Sequence, residues 1–230
     1  MAHQGIEISA SIMCMDWLNM KEQINILEEL GIDYLHHDIM DGAFVPELSM
    51  GPSISRCLKE YTSLPSDYHL MVEEPRHMFD QFSFDQGARF LIHYEACRNL
   101  HRELVNIRKM GLRPGLALNP ATTLENIEYV IDEADSVTIM TVNPGYDGQQ
   151  VIPQVLKKIQ KLDEWRRETK REIKIFVDGN VSFNNIPTMV SYGADALVVG
   201  SSSLFSKKDT IKNNYEKLIK LIDEGLESRK

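Results

Sequence analysis

Eight short runs of apolar or alternating residues punctuate this chain, near 7–13, 34–41, 67–72, 90–96, 114–118, 136–142, 173–178 and 195–200. Each is rich in Ile, Val, Leu, Phe or Tyr, the side chains that fit a pleated, half-buried surface. Between the runs the spacing turns helical. Met20, Ile24 and Leu27 recur at i, i+4 and i+7, and Ile211, Tyr215, Leu218 and Ile222 form one stripe. Asn119-Pro120-Ala121-Thr122-Thr123 opens a further helical pattern with Glu125 and Asn126 early in it. Strand–helix alternation repeated eight times in 230 residues predicts an α/β fold of the (β/α)8 TIM-barrel type. An open doubly wound sheet is the competing arrangement, and eight units of similar length favour closure. No Pro/Gly/Ser-rich linker interrupts the pattern, so residues 1–230 are expected to form a single barrel domain.

Charge and cysteine content narrow the partners. The formal charge of −9 leaves no basic stripe to neutralise a phosphate backbone, so no nucleic-acid partner is expected. A local nest of backbone N–H groups can still hold a small anion inside an acidic protein. Cys14, Cys57 and Cys97 are odd in number and lack C-x-x-C spacing, which reads as free thiols in a reducing compartment. No run approaches 18 apolar residues, and Met1–Glu7 lacks the apolar core of a signal peptide. A cytoplasmic protein with no membrane partner is the expectation.

The chemistry gathers at the ends of the predicted strands. His36-x-Asp38 closes the second run, His69 lies in the third, and Asp178 closes the seventh just before Gly179. Residues i and i+2 of a strand share a face, so His36, Asp38 and Met40 point together into the barrel while His37 points towards the helices. Asp67, His69 and Met71 share a face of the next strand. Taken singly, His69 reads as a hydrogen-bonded core histidine and Asp178-Gly179 as a strand-ending turn. Together, two imidazoles and two carboxylates at one barrel end are costly to bury unless a cation compensates them. This donor set suits one divalent ion per subunit, Zn²⁺, Fe²⁺, Mn²⁺ or Co²⁺, and ligand type alone does not choose among them.

A second cluster reads as a phosphate grip. Gly145-Tyr146-Asp147-Gly148 follows the sixth run, Gly179-Asn180 the seventh and Gly200-Ser201 the eighth. Glycine turns let backbone amides approach an anion, and barrel phosphate sites draw on the loops after strands seven and eight. With no Lys or Arg evident nearby, amides are expected to do most of the holding. Two opposed carboxylates, a cation and a phosphate grip imply an enzyme that moves a proton next to the carbonyl of a phosphorylated sugar. Inverting such a carbon removes a proton from one face and returns one to the other, which calls for two acid/base groups, Asp38 and Asp178.

The same residues carry a family resemblance. Ser9-Ala10-Ser11-Ile12-Met13, His36-His37-Asp38-Ile39-Met40-Asp41-Gly42, His69-Leu70-Met71-Val72, Asn143-Pro144-Gly145-Tyr146-Asp147-Gly148-Gln149, Val177-Asp178-Gly179 and Gly200-Ser201 resemble the ribulose-phosphate 3-epimerase family, in order, from about residue 7 to 205. The resemblance implies a ribulose-phosphate-binding barrel and metal-dependent 3-epimerisation of a ketose phosphate through a cis-enediolate. It places metal ligands on His36, Asp38, His69 and Asp178 and proton transfer on Asp38 and Asp178. It places substrate contacts on Ser11, His69, Met40, Met71 and Met140, with the methionines keeping water from the intermediate. His93-x-Glu95 alternates like His36-x-Asp38 but, by resemblance, supports the site from behind at most. A homo-oligomer is also implied.

Departures from the family pattern bear on the substrate. Asn180 replaces a second glycine, the turn reads Gly-Tyr-Asp-Gly in place of Gly-Phe-Gly-Gly, Ala43 stands where His is usual, and Glu47 where Asn is usual. Asp147 is expected to place an anion beside the ligand unless it turns outward. Ser11-Ile12-Met13-Cys14-Met15-Asp16 and Val199-Gly200-Ser201-Ser202-Ser203-Leu204-Phe205 are more similar to the D-allulose-6-phosphate branch. D-allulose 6-phosphate is therefore the favoured substrate, ahead of D-ribulose 5-phosphate. A rival of another class, a non-catalytic sugar-phosphate-binding barrel, would have no need of two opposed acids.

Overall fold

In the computed structural model, which describes residues 5–82 and 85–229, eight parallel strands close into a barrel in chain order. They are β1 (Glu7–Ser11), β2 (Tyr34–Met40), β3 (Ser66–Met71), β4 (Arg89–His93), β5 (Arg113–Leu118), β6 (Ser136–Met140), β7 (Lys174–Asp178) and β8 (Ala196–Val199). Pairing of β8 with β1 completes the ring and excludes the open-sheet alternative. Helices α1 (Met20–Leu30), α2 (Pro52–Tyr61), α3 (Leu100–Lys109), α4 (Pro153–Thr169), α5 (Ile186–Ser191) and α6 (Ile211–Glu227) run between and after the strands.

Two connections depart from the predicted alternation. The segment after β3 forms 3-10 turns over Pro75–Phe82. After β5, where a helix is expected from the Asn119–Thr123 start, the chain makes two short 3-10 turns, Leu124–Ile127 and Ile131–Glu133. Ile127 and Ile131 are both fully buried, so two turns suffice to seat the segment's apolar anchors. Arg108 donates to the Glu133 carbonyl at 3.0 Å and Arg171 to Asp132 at 2.7 Å, which ties the second turn to its neighbours. In contrast, α4 begins with Pro153 in its first turn and ends with Arg166 and Arg167 in its last, both favourable placements.

The barrel has two interiors of opposite character. Outward residues such as Ile8, Leu35, Leu70, Ile92, Val137 and Leu197 pack with Ile24, Leu27, Leu104, Ile159, Leu218 and Ile222 of the helices in one buried apolar cluster. Inside the ring, Tyr34, Phe176 and Ala196 form a small apolar plug towards the strands' N-terminal ends. Above the plug the lumen is largely polar, because the inward residues of β1–β4 and β6 include Ser9, Ser11, His36, Asp38, Asp67, His69, Arg89, His93, Ser136 and Thr138, all buried. A lumen of that composition is stable only where each polar group finds a partner. Those partners build the site. Among the described residues, no helix is long and apolar enough to cross a membrane.

Candidate active site

The strand register brings the expected ligands together. Asp38 pairs with His69 across β2–β3, and Ser11 with His36 across β1–β2. One ligand atom from each of His36, Asp38, His69 and Asp178 lies within 4.8 Å of the other three. His36 Nε2 is 3.2 Å from Asp38 Oδ1 and 3.7 Å from Asp178 Oδ2. His69 Nδ1 is 3.3 Å from Asp38 Oδ1 and 3.3 Å from Asp178 Oδ2. Ser11 Oγ donates to the other Asp38 oxygen at 2.8 Å.

Both imidazoles are aimed by what lies behind them. Asp67 Oδ2 accepts from His36 Nδ1 at 2.8 Å, which leaves Nε2 facing the cluster. Asp67 is itself gripped by Arg89, through Nε at 2.6 Å and Nη2 at 2.7 Å, and accepts from Ser9 Oγ at 2.9 Å. The Arg89 guanidinium lies 3.6 Å from the Phe176 ring centre and donates through Nη1 to Ser136 and Thr138 at 3.3 and 3.2 Å. A fork-to-fork pair of this kind is strong and geometrically specific. His69 Nε2 meets His93 Nε2 at 2.8 Å, and His93 Nδ1 lies 3.5 Å from Glu95. With His69 Nδ1 free to bind a cation, Nε2–H donates to His93, and His93 Nδ1–H points towards Glu95. His93-x-Glu95 thus lies behind His69, away from the carboxylates. Asp67 and Arg89 were given no part by the motifs; their signal was two opposite charges on inward strand positions.

The residues fit a divalent cation on two grounds. His36 Nε2 is fully buried and makes no hydrogen bond, although it faces carboxylate oxygens of Asp38 and Asp178 at 3.2 and 3.7 Å. Polar atoms orphaned in this way call for a partner. Secondly, burial disfavours charge on His36, yet Asp38 and Asp67 outweigh it and raise its pKa well above the ordinary value. His69 is likewise raised, against burial, by Asp178 and Asp38. Burial also opposes ionisation of Asp38, but His36 and His69 hold its carboxyl far below the usual range. The carboxylates therefore favour positive charge at this point, which a bound cation would supply.

Every expected site residue lines one cleft at the strands' C-terminal ends, except His36 and His69. Those two are wholly buried. His69 was expected to touch the substrate as well, but its two ring nitrogens face the carboxylates and His93, and it is absent from the cleft lining. Met40 and Met71, with Val45, form a small apolar cluster over the inward side of β2 and β3, and Met140 lines the same cleft. His37 turns outward, as strand alternation requires, and meets Ser55 of α2 at 3.0 Å.

The three phosphate-expected loops do converge. Gly145 adopts φ +112°, and a Cβ there would come within 2.6 Å of Val45, so only glycine fits. Gly179 adopts φ +98° with the same constraint from Val142 at 2.5 Å. Asn180 takes φ +41°, a backbone state Asn tolerates better than most residues. Its side chain, however, donates to Gln149 O at 2.6 Å, tying the loop after β7 to the loop after β6. Asp147, exposed at the rim of the cleft, reaches across to the loop after β8. Its carboxylate accepts from Ser201 Oγ at 2.7 and 2.8 Å and from the Gly148 amide at 2.7 Å.

A closed eight-stranded barrel with an acid–imidazole cluster at its C-terminal mouth defines a TIM-barrel enzyme. Residues 7–205 match the model of the ribulose-phosphate 3 epimerase family, and the chain belongs to that family and is an isomerase of the epimerase type. It is 39% identical over 221 residues to a ribulose-phosphate 3-epimerase of Methanocaldococcus jannaschii, covering 95% of this chain and 93% of that one. It is 40% identical over 199 residues to the Bacillus subtilis protein of the same name, covering 86% and 91%. Among solved structures, 3-hexulose-6-phosphate synthase from Salmonella typhimurium superposes with a TM-score of 0.63 at 15% identity, over 96% of this chain and all of that one. That likeness concerns the fold alone.

Proposed function

We propose that this chain is a metal-dependent ketose-phosphate 3-epimerase in which Asp38 and Asp178 are the two proton-transferring groups. The observation that carries the reading is the meeting of both carboxylates at one cleft, over two imidazoles whose ring nitrogens face them. At the start of a turnover one carboxyl is ionised and removes the C3 proton; the other is protonated and delivers a proton to the opposite face of a cis-enediolate. His36, Asp38, His69 and Asp178 would hold the divalent ion, which when bound supplies Lewis-acid polarisation of the C2 carbonyl. Ser11 positions Asp38 and contacts the substrate, while Met40, Met71 and Met140 shield the intermediate from water. Gly145, Tyr146, Gly148, Gly179, Gly200 and Ser201 surround the phosphate end.

The names of the relatives at 39% and 40% identity support D-ribulose 5-phosphate as the substrate. D-allulose 6-phosphate, favoured on motif detail, is the second reading; it rests on segments 11–16 and 199–205, with no support from these comparisons. Measuring kcat/KM on both sugars decides between them: the first reading requires the pentulose phosphate to be preferred, and a large preference for the hexulose phosphate would reverse the order. We read the chain as a one-domain, cytoplasmic subunit of a homo-oligomer acting on a sugar phosphate. The thiols of Cys14, Cys57 and Cys97 are free. Leu18 and Leu48, at 96% and 79% exposure, offer apolar surface after β1 and β2, and sedimentation velocity tests the assembly.

A further inference from the structure

The corner that the proposed function gives to the substrate's phosphate already holds an anion of its own. Asp147 receives the Ser201 hydroxyl and the Gly148 amide, two of the donors expected to grip the phosphate. The neighbouring polar side chains are also engaged. Asn180 donates to Gln149 O at 2.6 Å, and Gln149 Nε2 donates to Asn143 O at 2.5 Å and Tyr146 O at 3.0 Å. No Lys or Arg among the described residues lines the cleft. A phosphate entering here meets an exposed carboxylate that already occupies two of its donors, with no cleft-lining side-chain cation to offset the like charge.

We propose that Asp147 is a specificity-determining residue: its carboxylate competes with the substrate's phosphate for Ser201 and Gly148. A phosphate-terminated ketose then binds by displacing Asp147. The enzyme holds its phosphate weakly, and its preference for phosphorylated over neutral ketoses is correspondingly small. The inference rests on the reading of this corner as the phosphate end, and it assigns to one residue the strength of that grip.

Asp147→Asn keeps the shape and the acceptor oxygen of the turn while removing the charge. Calorimetric titration of the metal-loaded protein with inorganic phosphate should show at least about tenfold tighter binding in Asp147→Asn than in the wild type. Adding Ser201→Ala to that variant should abolish the gain. In turnover, the ratio of kcat/KM for D-ribulose 5-phosphate over D-ribulose should rise by a similar factor, through KM. Equal phosphate affinity in wild type and Asp147→Asn would overturn the proposal, as would a gain that survives Ser201→Ala. The phosphate titration needs no turnover, so absence of C3 epimerisation would end the functional reading while leaving this result interpretable.

Discussion

Asp67 takes the Nδ1–H of His36 at 2.8 Å and thereby turns the opposite ring nitrogen towards Asp38 and Asp178. The pair fixes the tautomer of a ligand from behind, as carboxylate–histidine pairs do in metal sites. Arg89 completes the arrangement by holding Asp67 with two hydrogen bonds. Burial opposes the Asp67 charge, but Arg89 and then His36 hold its carboxyl well below the usual range.

Replacing Asp67 by Asn tests this arrangement. Asn keeps the volume but leaves the buried Arg89 without its counter-charge, which should cost about 3–5 kcal/mol in denaturant unfolding. In the folded fraction, affinity for Zn²⁺ should fall by about 10- to 100-fold, because His36 loses its orienting acceptor. Unchanged metal affinity would detach Asp67 from the site.

Asp38→Asn and Asp178→Asn should each lower kcat by about 10²- to 10⁴-fold or more, the usual worth of one positioned acid or base. The far-ultraviolet circular dichroism should stay that of the wild type. Full activity in either variant would remove that residue from proton transfer.

His37 makes stability sensitive to acid. Burial, reinforced by the charge on His36, pushes its pKa down to about 4, against about 6.5 in an unfolded chain. Between those values the unfolded chain takes up a proton that the folded chain refuses. Stability is therefore full above pH 6.5 and declines as the pH falls towards 4, by on the order of 3 kcal/mol from this group. Unfolding free energies of His37→Gln should fall less steeply over that window than those of the wild type. Identical slopes would contradict the assignment.

Gly179→Ala places a methyl group where Val142 stands, at φ +98°. The loop after β7 must shift or the backbone must strain, at about 1–3 kcal/mol. The measurable result is a higher KM for the phosphorylated sugar and a lower melting temperature; neither change would show that the turn accommodates a side chain.

Much of this architecture is legible from local pattern. Strand alternation alone turns His36, Asp38 and Met40 inward and His37 outward, and that is where they lie. The ends of the apolar runs locate the acid–imidazole cluster, because a parallel barrel carries its loops at one end. What escapes notice depends on partners distant in sequence. Arg89 opens its strand and reads as a surface charge until Asp67, from the adjacent strand, is placed against it. The turns over Leu124–Glu133 carry helical spacing at Ile127 and Ile131, yet two short 3-10 turns already bury both side chains. For Asp147 the type of residue raises the question, and only the proximity of Ser201, 54 positions away, answers it.

The most direct test of the two-acid mechanism is solvent exchange at C3. Metal-loaded enzyme incubated in heavy water with D-ribulose 5-phosphate should place deuterium at C3 of both epimers, and chelation of the metal should stop the exchange. Epimerisation without deuterium uptake, or exchange that continues at full rate in Asp38→Asn and Asp178→Asn, would contradict it.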